Sequence, residues 1–170
     1  MSRSDRSPDL QLHFLRHADA GDPEGWTGDD ALRPLSDKGE LQAERLGSFL
    51  SEVGFQPDAI ISSPKIRARR TGEVVGAAVG VGVRLDERLA GGFDPATVDA
   101  ILADAGNPAR PVLVGHDPDF SQVLGWLANA DGLTMKKGAF ARVDVRGPVA
   151  EGRGTLRWLI PPDLLDRGRR

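Results

Sequence analysis

The run Pro111-Val112-Leu113-Val114-Gly115 has no polar side chain at any position. A strand without polar alternation is buried on both faces, as in a parallel sheet crossed by helices. The rest of the chain fits that requirement, because short apolar runs alternate with segments of helical periodicity. Gln11–Arg16 reads as the first strand. A helix is expected to start at Ser36, a good N-cap residue, with Leu46, Phe49, Leu50 and Val53 on its buried face and Gly54 at its stop. Asp58–Ser62 reads as a second strand.

Ser63-Pro64 then reads as a helix start, with Ser as cap and Pro at the first helical position. Ala68, Thr71, Val75 and Ala78 form that helix's core stripe, and Gly76, Gly80 and Gly82 weaken its end. Val83–Leu85 is a short strand, and Asp94-Pro95 opens a helix to about Ala105. Pro118 to Asn129 is a helix with Phe120, Val123, Leu124 and Leu127 on one side. Ala139–Val145 and Thr155–Ile160 are two strands joined by a Gly-rich turn, and Pro161-Pro162 ends the fold. The expected boundaries are a flexible tail over 1–10, one α/β domain over 11–163 and a short tail over 164–170.

With 170 residues the chain can bury a real core in one domain. Its 39% apolar and 28% charged residues are those of an ordinary globular protein. A net charge of -3 gives no basis for binding nucleic acid or an anionic membrane. The absence of cysteine excludes disulfides, thiolate nucleophiles and Cys-ligated zinc. Residues 1–10 contain no apolar h-region, and no apolar run approaches a membrane span, so a cytoplasmic setting is expected.

The chemistry gathers at strand ends. Arg16-His17 closes the first strand, Arg67 falls in the first turn after Ser62-Ser63-Pro64-Lys65-Ile66, and His116 follows Val114-Gly115. Open α/β sheets bind ligands at the carboxyl ends of their strands, where helix N-termini also favour anions. Two guanidiniums at such an edge select a phosphate or a carboxylate, since each can donate paired hydrogen bonds. His13 lies roughly 13 Å from His17 at about 3.3 Å per residue, too far to share a metal ion, and reads as structural. Trp26, Trp126 and Trp158 read as packing residues. Lys136 and Lys137 fit either a pocket rim or a solvated turn. Asp117 reads as a cap for the helix beginning at Pro118.

In this order the motifs resemble the histidine phosphatase superfamily, and within it the small SixA-type phosphohistidine phosphatases. The Arg-His pair is Arg16-His17, with Ala18 where most members have Gly. Ser62-Ser63-Pro64-Lys65-Ile66-Arg67 matches the second motif, and Val114-Gly115-His116-Asp117-Pro118 carries the second histidine. Arg33-Pro34-Leu35-Ser36 and Lys136-Lys137-Gly138-Ala139 resemble the SixA subgroup. The resemblance implies a phosphoglycerate mutase-like fold: one three-layer domain whose mostly parallel central sheet has helices on both faces, here with a minimal lid.

It also implies a metal-independent phosphatase without cofactor, in which His17 carries the phosphoryl group covalently and Arg16, Arg67 and His116 neutralise its charge. Arg33 is the implied substrate-binding residue. Glu87 sits where many members place a proton donor, and it reads equally well as a surface carboxylate beside Arg88. About ten residues separate Val83–Leu85 from the helix after Asp94, so an open, shallow site is expected. The substrate is then phosphohistidine on a protein, with inorganic phosphate as product. The alternatives are a phosphomonoesterase of a small metabolite using Glu87 as acid, and a non-catalytic phosphate-binding module, since fold does not fix function.

Overall fold

The computed structural model describes residues 8–166. Its centre is a six-stranded sheet of β1 (Leu10–Arg16), β2 (Ala59–Ser62), β3 (Val83–Leu85), β4 (Pro111–Gly115), β5 (Phe140–Val145) and β6 (Gly154–Ile160) in the order β3-β2-β4-β1-β5-β6. The first four strands in that order are parallel, and β5 and β6 close one side antiparallel. The helices are α1 (Asp37–Glu52), α2 (Ile66–Val79), α3 (Val98–Asp104) and α4 (Asp119–Ala128).

As its composition requires, β4 is buried at every position. Leu12, Phe14, Ile61 and Leu113 face one core with α3 and α4, including Phe120, Val123, Leu124 and Leu127. Leu15, Ile60, Val112 and Val114 face the other, with Leu46 and Leu50 of α1 and Val75 of α2. This is the mixed three-layer sandwich expected of the chain. Among the described residues, no helix is long and apolar enough to cross a membrane.

Several local expectations are corrected. Helix α2 begins at Ile66 rather than at Pro64, with Lys65 in the cap position and no side-chain cap bond. Val53 and Ala78 are exposed, outside the buried stripes to which periodicity assigned them. Gly80, at φ 76°, caps the end of α2, in keeping with the glycines expected to weaken it, and Gly76 is internal. It lies buried within the helix because a Cβ there would stand 2.4 Å from the Val81 carbonyl oxygen, so the glycine lets the chain fold back against its own helix. At the ends, residues 1–7 and 167–170 of the expected tails lie outside the described residues. Leu10 already belongs to β1. Leu165 belongs to a 3-10 turn, Pro162–Leu165, and packs on the α1–α2 core.

His13 occupies that same core. It is 1% exposed, stacks on Phe140 and meets Phe55 edge-on, and its Nδ1 donates to the Pro111 carbonyl at 3.0 Å. Burial pushes its pKa down to about 4, against the opposing effect of the Pro111 bond. A proton therefore prefers the unfolded chain. The stability held above pH 6.5 is lost as pH falls through that value toward about 4. Between pH 7 and pH 5 His13 is expected to cost about 2 kcal/mol. Urea unfolding at the two pH values checks this, and a His13→Phe variant should show a shallower pH dependence.

Candidate active site

Backbone hydrogen bonds continue the parallel ladder past the strand ends. His17 N–H donates to Gly115 O at 3.0 Å, Ser63 N–H to Val114 O at 2.9 Å and Asp86 N–H to Ser62 O at 2.9 Å. Because Arg16 pairs with Gly115 and Ser62 with both Val114 and Leu85, the residues just beyond each strand line up along one edge. That edge brings His17, His116 and Ser63 together. The two imidazole rings stand 5.2 Å apart.

His17 is 5% exposed. Its Nδ1 lies 2.7 Å from the Ala18 carbonyl oxygen. A carbonyl only accepts, so Nδ1 carries the proton and the neutral ring keeps its lone pair on Nε2. Burial is the main cause that lowers the His17 pKa to about 4; the Ala18 bond opposes it, and the charges of Arg67, Arg16 and Lys137 add to it. The ring is an unprotonated nucleophile at neutral pH. His116 is pushed down to about 3, first by burial and then by His17, Arg67 and Lys65. Its Nε2 is hydrogen-bonded to Ser63 Oγ at 2.8 Å. Ser63 thus spends its hydroxyl on His116 and on Lys65 N–H at 3.2 Å, just ahead of the start of α2 at Ile66.

Both arginines are anchored at one end and unpaired at the other. Arg16 Nη1 donates to Met135 O at 2.7 Å and lies 3.7 Å from Asp117 Oδ2. Helix α4 begins at Asp119 with Pro118, not Asp117, in the cap position; Asp117, one residue outside it, accepts from the Ser121 backbone N–H and hydroxyl of the first turn. Arg67 Nη1 donates to the Asp30 carbonyl at 2.8 Å and Nη2 to Asp30 Oδ2 at 2.9 Å. Among the described residues, the buried side-chain nitrogens and oxygens without a hydrogen-bond partner are Arg16 Nε and Arg67 Nε. Two unpaired buried donors on cations beside one imidazole lone pair are the complement of an anion.

Other expected site residues are placed differently. Arg33 is 6% exposed, with Nε on Asp30 Oδ1 at 2.9 Å and Nη1 on Ala20 O at 2.7 Å, so these nitrogens serve the protein itself. Glu87 begins the 3-10 turn after β3 and is exposed, and its carboxylate makes no hydrogen bond or ion pair among the described residues. It is not held by Arg88, which pairs with Asp86 and Asp104. Strand order leaves β3 three spacings from β1, about 14 Å at ~4.8 Å each. The site is also less shallow than expected, since both histidines are nearly buried and the turn Asp30–Leu32 packs against Arg67. Lys137 stands on the rim, 3.6 Å from Asp19 Oδ1, whereas Lys136 pairs outward with Asp163. No three of His, Asp and Glu gather as a metal site would require among the described residues.

Comparison with known proteins agrees with this arrangement. The profile of the histidine phosphatase superfamily, branch 1, matches residues 12–91. An uncharacterized protein of Picosynechococcus sp. is 34% identical over 119 residues, covering 66% of this chain and 70% of that one. The chain belongs to the histidine phosphatase superfamily. It is therefore an enzyme of a phosphatase class. GpmB of Escherichia fergusonii, named for a phosphoglycerate mutase, is 30% identical over 115 residues, covering 62% of this chain but only 51% of its own length. In fold, the chain matches the protein histidine phosphatase SixA complexed with tungstate at a TM-score of 0.79 and 23% identity, over 92% of this chain and all of that one.

Proposed function

We propose that this superfamily member removes a phosphoryl group from phosphohistidine on a protein, using His17 as nucleophile. The observation that carries phosphoryl transfer is the His17 Nε2 lone pair, set beside two cations whose buried Nε donors lack partners. In the first step the Nε2 electron pair attacks phosphorus and the bond from phosphorus to the substrate imidazole nitrogen breaks. The departing imidazole takes its proton from water. A second water then attacks the phosphoryl-His17, the Nε2–P bond breaks, and inorganic phosphate leaves. Arg16, Arg67 and His116 stabilise the charge on the transferring oxygens, the contribution that dominates such reactions.

The preference for a nitrogen-linked phosphate rests on the proton donor. An ester oxygen is a poor leaving group without an acid, and Glu87, in the 3-10 turn after β3, is exposed and unpaired among the described residues. An imidazole, protonated from solvent, departs without one. A slender aromatic side chain also reaches a recessed nucleophile, and the cations Lys65 and Lys137 stand close enough to bias the two histidines.

Rates on a phosphohistidine-bearing protein and on small phosphomonoesters should therefore differ. We expect kcat/KM at least about 100-fold higher for phosphohistidine, and little effect of Glu87→Gln on that substrate. A clear preference for a sugar phosphate, lost in Glu87→Gln, would establish the metabolite phosphatase instead.

A further inference from the structure

We propose that Asp30, held in turn by Arg33, is the positioning residue that fixes the orientation of Arg67 toward the phosphoryl group. The inference rests on the reading of Arg67 as a phosphoryl ligand and adds the device that aims it. Asp30 grips Arg67 twice, through its backbone carbonyl at 2.8 Å and its carboxylate at 2.9 Å. Those bonds occupy Nη1 and Nη2, the end of the guanidinium fork. A planar fork held at its end can present only its side edge elsewhere, and Nε on that edge is the donor left buried and unpaired.

Arg33 supplies the other half of the clamp. Its Nε donates to Asp30 Oδ1 at 2.9 Å, so each carboxylate oxygen holds a different arginine. Its Nη1 ties the pair to Ala20 O at 2.7 Å, on the segment that follows His17. Nucleophile segment, turn and Arg67 are thereby joined by a chain of charge-assisted bonds. The Arg33 bond is the largest cause holding the Asp30 carboxyl below the usual carboxylate range; burial opposes it and the Arg67 charge assists. Asp30 stays ionised and keeps its grip at neutral pH. Its side chain is 51% exposed, so its removal leaves no core void.

The test measures inorganic phosphate binding by calorimetry and kcat and KM on the phosphohistidine protein. Wild type, Asp30→Ala, Asp30→Asn, Arg67→Ala and the Asp30→Ala/Arg67→Ala double variant are compared. Removing the clamp is expected to lower kcat by about tenfold to 100-fold, with KM changing less; the thermal midpoint should fall, because Arg33 and Arg67 lose their shared carboxylate, so rates are compared well below each variant's midpoint. Asp30→Asn, which keeps an acceptor oxygen, should recover part of that loss. In the Arg67→Ala background, Asp30→Ala should add no further loss in phosphate affinity, because a residue acting through Arg67 has nothing left to aim. Two outcomes overturn the clamp while leaving the phosphoryl-ligand reading intact. One is additive losses in the double variant; the other is tighter phosphate binding in Asp30→Ala, which would make Asp30 a competitor for the guanidinium. If Arg67→Ala itself binds phosphate as wild type does, the underlying reading of Arg67 fails instead.

Discussion

A His17→Ala variant is expected to take up no acid-labile phosphate from a phosphohistidine substrate and to lose on the order of 1000-fold or more in kcat/KM. The wild type, quenched during turnover, should carry the label on Nε2. The size of the loss follows from the role: without the covalent acceptor, water must attack the substrate unaided, and the anion-binding donors alone recover only a residue of the rate. The fold should survive, since removing a buried imidazole that resists protonation takes away a source of acid instability. The same geometry sets the pH dependence. His17 is inactive when protonated, and burial holds its pKa at about 4. The acid limb of kcat/KM, corrected for the substrate's own titration, should therefore lie near pH 4 rather than near 6.5. Undiminished turnover in His17→Ala would remove His17 from the role of nucleophile, whereas a wild type that binds phosphate tightly but neither turns over nor labels would leave a phosphate-binding module in place of the enzyme.

The same contrast between local and long-range forces decides what could be read in the sequence. The run Pro111–Gly115 announced itself because burial on both faces leaves no room for a polar residue, and the structure buries all of it. Arg16, His17, Arg67 and His116 were legible for a related reason. Arg16 ends a readable strand and the others follow one, and strand ends in a parallel sheet converge on one edge. The start of α2 was not legible, and Ser63 has two uses for its hydroxyl. Local sequence favours a cap, and its hydroxyl does accept from Lys65 N–H, but it also bonds His116, 53 residues away, a partner the local sequence does not show. The sequence points to Arg33 as a substrate ligand and gives no sign of its partner Asp30, three residues earlier. The spacing is that of a helical ion pair, but here it sits in a short 3-10 turn whose other bond runs to Arg67, 37 residues on. Nothing within the loop signals that bond. Periodicity alone does not show that Val53 lies beyond the packed face of α1, or that Ala78, whose Cβ faces Gly47 of α1, stays exposed.

Gly39→Ala is expected to destabilise the protein by about 2–3 kcal/mol and to cut phosphoryl transfer by about 100-fold. Helix propensity alone gives the opposite sign, since Ala exceeds Gly by about 1 kcal/mol within a helix. Packing decides. Gly39 lies in the first turn of α1, and a Cβ there would stand 1.9 Å from the Asp19 carbonyl oxygen and 2.8 Å from its carbon, both backbone atoms. No side-chain rotation relieves that overlap, so either the helix or the segment after His17 must move. The junction is tightly bonded. Ser36 N–H donates to Asp19 O at 3.0 Å, Ser36 Oγ to Asp19 Oδ2 at 2.6 Å, and Asp19 N–H to Gln42 Oε1 at 2.9 Å. The Ser36 hydroxyl also accepts from Gly39 N–H, so the cap of α1 and the segment beyond the nucleophile are one structure. Displacing Asp19 drags Ala18, whose carbonyl holds the His17 tautomer. A Ser48→Ala control at an exposed position of the same helix should be neutral or slightly stabilising. Urea unfolding and the rate of phosphate labelling read the two effects separately. A Gly39→Ala protein more stable than wild type would show that α1 is free to withdraw from the segment that carries His17.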